Sequence, residues 1–333
     1  MPRALELLIA SARRNEGCAL VTLVGIHGAA PRRIGAQMAV TEGGEIAGSF
    51  SGGCLDRSVI EDARRALTDG SSRRVRYGED SPYVDIVLPC GSGLDLQFDG
   101  AVPAATVEAI AQAITRREAF ALHWRDPASP PKCVPDAMPV TDAVVVQHMP
   151  ALRLMLAGAG DTLLAMCRLA RAADIQVIAF SPERDLQAPL DALGVRLHVL
   201  QAQHALPPLA LEACLFDPWT AAITLFHDHD WELPFLQRAL ASDACLVGAM
   251  GSPRTQALRL ERLEARRVDA ASLARLRSPL GLLPRARDPQ ELAVSILAEA
   301  MQAYRERCHP EESRAAETRS TEARATSATH ADA

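Results

Sequence analysis

Leu152-Arg-Leu-Met-Leu-Ala-Gly158-Ala-Gly160-Asp161-Thr-Leu163 decides the fold of the second half of this chain. An apolar run passes into a Gly-x-Gly turn and then into apolar residues at helical spacing, the strand-turn-helix opening of a doubly wound parallel sheet. Residues 175–180, 195–200, 221–226 and 244–249 continue the series as short buried strands with helices between them. Asp288-Pro-Gln-Glu291 starts the last helix with an acidic N-cap, proline at the first helical position and glutamate at the third. A glycine turn of this kind normally brings a pyrophosphate to the N–H groups of the helix end. Here the fingerprint is incomplete: Leu163 holds the third small-residue position, Asp161 follows the second glycine, and the next strand ends at Ser181 rather than at a carboxylate. NAD(P) is therefore not expected, and an NAD(P)-dependent oxidoreductase is the alternative reading.

Upstream, residues 4–14 read as a helix and 18–26 as an apolar strand, and 36–41 and 45–49 form a hairpin around Glu42-Gly43-Gly44. A helix over 55–67 is stopped by Asp69-Gly70. Strands at 73–77, 83–88 and 94–98, a helix over 102–117 and a strand over 119–124 complete a mixed sheet. Prolines crowd 126–139, which reads as a linker. The expected fold class is α/β, with an N-terminal mixed-sheet α/β domain (1–125), a Pro-rich linker (126–150), a Rossmann-like doubly wound parallel-sheet domain (151–307) and a disordered tail (308–333).

A formal net charge of -6 argues against nucleic-acid binding. No apolar run approaches the ~20 residues of a membrane span and the N-terminus does not read as a signal peptide, so a cytoplasmic protein is expected. The eight cysteines include no C-x-x-C pair, which disfavours zinc-finger and disulfide-scaffold classes. Cys18, Cys167, Cys214 and Cys245 sit in apolar segments and read as small core residues.

Cys54 and Cys90 differ. Gly48-Ser-Phe-Ser51-Gly52-Gly53-Cys54-Leu-Asp56 places a thiol at the start of an amphipathic helix, where the macrodipole and unpaired N–H groups favour the thiolate. Asp56 can order the turn, although its charge opposes thiolate formation; the bland alternative is a small buried residue at a tight turn. Leu88-Pro-Cys90-Gly91-Ser-Gly93 sets a second cysteine where a strand gives way to a glycine loop. A thiol-redox protein using both is a further reading, testable by the sulfur-sulfur distance. His227-Asp228-His229-Asp230 lies at the carboxyl end of a parallel strand, where such sheets bind ligands, and suits a polar ligand, a metal or a helix cap. One unit later, Gly251-Ser252-Pro253-Arg254 suits an anion: glycine for close approach, serine as cap, proline at the first position and arginine for a phosphate; a capped helix with a solvated arginine is the alternative.

These motifs, with Ile34-Gly-Ala-Gln-Met-Ala-Val, Ser278-Pro-Leu-Gly281-Leu and Glu291-Leu-Ala-Val-Ser-Ile-Leu-Ala-Glu299, resemble the XdhC/CoxI family, accessory proteins of xanthine dehydrogenase, CO dehydrogenase and related molybdenum hydroxylases, from about residue 15 to residue 300. The resemblance implies a chaperone, more a binding protein than an enzyme. It would bind molybdenum cofactor, as molybdopterin or its cytosine dinucleotide form, assist its sulfuration and deliver it to an apo-molybdenum hydroxylase. A cysteine desulfurase is the implied sulfur donor and a homodimer the default assembly. The implied cofactor-binding set is Ser51, Gly52, Gly53, Cys54, Cys90, Gly91, Gly158, Gly160, His227, His229, Gly251, Ser252 and Arg254, with Cys54 and Cys90 as molybdenum ligands. The chain departs from the family pattern at Asp56, Asp161, Leu163, Pro253, Leu283 and Arg285, mostly in the second domain; the cysteine block is intact.

Overall fold

The protein is described by a computed structural model that covers residues 3–28, 30, 32–50, 54–78, 81, 93–136, 142–203, 206 and 216–308. The chain divides into two compact units, Met1–Pro150 and Ala151–Ala333. The expected strand over 83–88, the site residues Ser51, Gly52, Gly53, Cys90 and Gly91, and the tail beyond Cys308 lie outside the described residues, as does the Cys54 side chain.

In the first unit, helix α1 (Arg3–Arg13) precedes strand β1 (Cys18–His27), the hairpin β2 (Gln37–Thr41) and β3 (Ile46–Ala47), helix α2 (Cys54–Asp69), and strands β4 (Ser72–Gly78) and β5 (Gly93–Asp99). The five strands form one sheet in the order β3-β2-β1-β5-β4, and each described pairing in it is antiparallel. Because side chains alternate across a strand, the near-continuous apolar run of β1 serves two cores at once. Ala19, Val21 and Leu23 join Leu55, Val59 and Ala63 of α2. Cys18 and Leu20 face the opposite layer, made of α1, helix α3 (Ala104–Arg116) and strand β6 (Phe120–Trp124). Asp99, at the end of β5, accepts hydrogen bonds from Trp124 Nε1 at 3.0 Å and Ser72 Oγ at 2.9 Å, joining the two sheets through one buried carboxyl.

The stretch 126–150, expected to be a linker, belongs instead to this unit. It carries β7 (Lys132–Pro135) and β8 (Val144–His148), both antiparallel to β6, in a sheet ordered β7-β6-β8. Prolines mislead here because an edge strand tolerates them: Pro135 lies at the end of β7, which pairs on one side only. Their carbonyls are also used, Pro131 O by Thr106 Oγ1 at 3.1 Å and Pro127 O by Gln97 Nε2 at 2.8 Å.

The second unit is the parallel sheet that the glycine turn implies. Strands β9 (Arg153–Gly158), β10 (Gln176–Ser181), β11 (Arg196–Val199), β12 (Thr220–Leu225), β13 (Leu246–Ala249) and β14 (Leu276–Arg277) run in the order β11-β10-β9-β12-β13-β14, and all five pairings are parallel. Helices cover both faces, the short α5 (Gln187–Ala192) on one and α8 (Ala270–Leu273) on the other. Leu154 and Leu156 of β9 pack with α4 (Gly160–Ala172) and α9 (Pro289–Cys308), while Met155 and Ala157 pack with α6 (Leu233–Leu240) and Leu263 of α7 (Pro253–Ala265). Winding proceeds outward from β9 to β10 and β11, then resumes at β12 on the other side of β9. The crevice outside the carboxyl ends of β9 and β12 is thus a topological switch point, where open α/β sheets bind ligands.

Candidate functional site

Register places the expected residues of the second unit along that edge. Gly158 pairs with Leu225 and Thr224 with Ala249, so the turns carrying Gly158–Gly160, His227–His229 and Gly251–Arg254 leave three adjacent strands spaced about 4.8 Å apart. The two glycines of the first turn have different causes. A Cβ on Gly158 would stand 2.8 Å from Leu225 Cβ, so close strand packing requires glycine there. Gly160 has φ +62° with open space around its Cβ position, so backbone turning alone requires it.

The first N–H of α4 is already taken. Glu183 Oε2 accepts a hydrogen bond from Gly160 N at 2.7 Å. The carboxylate missing at Ser181 is therefore supplied two residues later: Ser181 is buried, its Oγ accepts from Glu183 N at 3.2 Å, and this bend directs Glu183 back to the glycine turn. With Asp161 in the first turn of α4, two carboxylates lie at that helix end, a setting that disfavours a bound phosphate and favours hydroxyl or N–H donors.

At the third turn the helix end is open to an anion. Ser252 caps α7 by accepting from Thr255 N at 3.2 Å, Pro253 occupies the first position, no acidic residue stands in the first turn, and Arg254 is exposed. Gly251 has φ +136°.

Between these turns stands a buried polar cluster without a sequence signature. Glu232 and Arg259 are 0% and 1% exposed and are joined by Arg259 Nε to Glu232 Oε1 at 2.6 Å. Thr224 Oγ1 donates to Glu232 Oε2 at 2.9 Å. Arg259 also reaches Gln256 Oε1 at 2.7 Å, Ser278 Oγ at 3.0 Å and Met250 O at 2.8 Å. It thereby ties the ends of β12 and β13 to α7 and to the segment after β14. His229 opens a short 3₁₀ turn, His229–Trp231, capped by Asp228, and its Nδ1 lies 3.2 Å from Glu232 Oε1. His227 is exposed, and Asp230 pairs with Arg262. Among the described residues no three His, Cys, Asp or Glu side chains are grouped to hold a metal ion.

In the first unit, Cys54 is the first residue of α2. Asp56 accepts from Phe50 N at 2.9 Å and from Ser49 Oγ at 2.6 Å, which fastens the chain before the cysteine to the helix after it. Burial pushes Cys18 up to about 11 and Cys167 and Cys245 up to about 12, and raises Cys133 and Cys308. Cys18, Cys167 and Cys245 thus behave as apolar filler; Cys214 lies outside the described residues.

Family models match both units. The model described as the XdhC Rossmann domain covers residues 154–300, and that of the XdhC and CoxI family covers residues 11–78. The chain is 34% identical over 311 residues to the molybdenum cofactor insertion chaperone PaoD of Escherichia coli strain K12, with 92% of this chain and 89% of PaoD covered. It belongs to the XdhC and CoxI family. A second E. coli relative of this XdhC/CoxI chain, the uncharacterized protein YqeB, is 24% identical over 289 residues, which is 85% of this chain and 43% of YqeB. The fold is shared with a Bacillus halodurans protein whose crystal structure is titled a xanthine dehydrogenase, at a TM-score of 0.69 and 18% identity, covering 92% of this chain and 97% of that one. For an XdhC/CoxI protein the Rossmann unit is thus as expected, while Glu183, Glu232 and Arg259 are additions that sequence reasoning missed. Glu183 had a signal, an acid just beyond the second strand; Arg259, an arginine in a polar helix, had none.

Proposed function

We propose that this protein is a molybdenum-cofactor chaperone of the cytoplasm that binds the cofactor as cargo, assists its sulfuration and inserts it into an apo-molybdenum hydroxylase, with a cysteine desulfurase as sulfur donor. The observation that carries the reading is the 34% identity to the insertion chaperone PaoD across 92% of the chain. Chemistry supports it in each unit. In the first, Ser51, Gly52, Gly53, Cys54, Cys90 and Gly91 bring backbone N–H groups and soft sulfur, chemistry suited to molybdenum and sulfur. In the second, Gly158, Gly160, His227, His229, Gly251, Ser252 and Arg254 offer two unlike ends to one ligand. The cofactor phosphate goes to the α7 end with Arg254, where no first-turn acid repels it. Donor groups of the ligand go to the α4 end, where Glu183 waits.

The test is anaerobic, reducing purification followed by measurement of bound molybdenum and pterin for wild type, Cys54→Ala and Cys90→Ala, with loading by molybdopterin and by its cytosine dinucleotide form as separate arms. Stoichiometric cofactor in the wild type, lost in a cysteine variant, is the expected result. Absence of cofactor binding together with tight NADH binding and turnover would sink the reading in favour of an oxidoreductase.

A further inference from the structure

The cofactor site uses His229 but leaves unexplained why an ion pair is buried directly behind it. Glu232 and Arg259 have no solvent to screen them, and a buried pair of this kind is weak evidence of stabilisation, because apolar residues of similar volume often do as well. The placement of Glu232 suggests a second task. Its Oε2 is held by the Thr224 hydroxyl at 2.9 Å and its Oε1 by Arg259 Nε at 2.6 Å, so the carboxylate is fixed in position and orientation. Its Oε1 also faces His229 Nδ1 at 3.2 Å.

Two groups compete for that ring nitrogen, and they demand opposite protonation. Glu232 can only accept, so it requires a proton on Nδ1. Arg259 Nη2, 3.4 Å away, can only donate, so it requires a lone pair there. The carboxylate prevails on two grounds. It is the closer partner and its bond is charge-assisted, and Arg259 Nη2 already donates to Met250 O at 2.8 Å. Among the described residues the remaining charges nearby do not reach the ring in this way: Asp230 is paired with Arg262, and Asp228 accepts from Asp230 N at 3.1 Å and Gln203 Nε2 at 3.3 Å. With Nδ1 turned inward, Nε2 is the nitrogen left for the exposed side of the ring, whose side chain is 30% accessible.

We propose that Glu232 is a positioning residue that holds the His229 ring with a proton on Nδ1, so that Nε2 is turned to the crevice and accepts a hydrogen bond from an N–H donor of a heterocyclic ligand. This deepens the cofactor-site reading and rests on it for the identity of the ligand. A pterin carries such donors in its ring N–H and amino groups. With Glu183 this makes two acceptors on the β9–β12 side of the crevice, and Arg254 supplies the cation on the β13 side.

The experiment begins with the full chain without cargo, labelled with ¹⁵N-histidine, and reads the His229 ring in long-range ¹H–¹⁵N correlation spectra, assigned with His229→Gln. A protonated Nδ1 and an unprotonated Nε2 are expected; the reverse tautomer overturns the proposal. Glu232→Gln, where it folds, should give a mixture of tautomers, and an unchanged spectrum counts against Glu232 as the cause. The wild-type spectrum decides the tautomer whether or not that variant folds. In the second arm, anaerobic binding of molybdenum cofactor released from a purified hydroxylase should be about tenfold weaker in His229→Gln, the scale of one lost hydrogen bond. Unchanged affinity refutes the acceptor role. A wild type that binds no cofactor overturns the functional reading and the ligand half of this inference, whereas a reversed tautomer overturns the inference alone.

Discussion

Replacing Asp99 by Asn should stabilise the first unit at neutral pH and leave it unchanged or weaker in acid. Asp99 has no solvent exposure, and burial, only partly offset by the bonds from Ser72, Trp124 and Gln97, pushes its carboxyl up from 3.8 to about 6. A carboxyl raised in the fold favours the protonated state. Its contribution is fully present below pH 3.8 and is lost as pH rises through about 6. The shift of about 2 units corresponds to roughly 3 kcal/mol between the two limits, at 1.36 kcal/mol per unit. Asn removes the charge and can keep the polar contacts: its Oδ1 accepts from Trp124 Nε1, and its amide donates to the Ser72 hydroxyl. Urea unfolding of wild type and Asp99→Asn from pH 4 to pH 8 should therefore show a gap in favour of the variant that opens between about pH 4 and pH 6 and levels off above. A stabilisation of about 1–3 kcal/mol at pH 7.5 is expected, short of the full amount because the Asn amide beside Ser72 would face the Gln97 Nε2 donor, which reaches that oxygen of Asp99 at 3.4 Å. A gap independent of pH, or a variant less stable than wild type at pH 7.5, refutes the reasoning.

A mirror-image effect is expected at His148, which is stacked on Phe120 at 4.8 Å and pushed down by burial from 6.5 to about 4. Its contribution is present above pH 6.5 and lost as pH falls through about 4, so His148→Phe should gain on wild type only on acidification, by up to about 3 kcal/mol in urea titrations. Gly48→Ala should destabilise the hairpin end strongly, because the new Cβ would stand 2.1 Å from Gln37 O in a backbone with φ +97°. A loss above about 2 kcal/mol is expected by chemical denaturation, and a neutral result would show that the β2–β3 approach is looser than described.

The parts of this fold that were legible in the sequence are those where one residue type has one physical reason. Buried parallel strands read as apolar runs, Gly160 as a turn, Ser252-Pro253 and Asp288-Pro289 as helix starts, and Asp288 Oδ1 does accept from Gln290 N at 2.9 Å. What misled was punctuation with two meanings. Pro131 and Pro135 mark a linker or the ends of an edge strand, and only pairing to β6 separates the two. At the candidate site, the polar turns were legible because parallel strands deliver their carboxyl ends to one edge. Glu183 escaped because the bend after Ser181 carries a side chain back by two residues. Arg259 and Glu232 escaped because a buried ion pair depends on three-dimensional partners 27 positions apart, and neither helix pattern encodes that.

The Asp56 clasp has a consequence for how this chain can vary. Ser49 and Phe50 are gripped by the Asp56 carboxylate on one side, and the helix begins at Cys54 on the other. Removing the Asp56 carboxylate therefore costs both hydrogen bonds at once, so a change at position 56 acts on the chain ahead of the cysteine as much as on the helix that follows it.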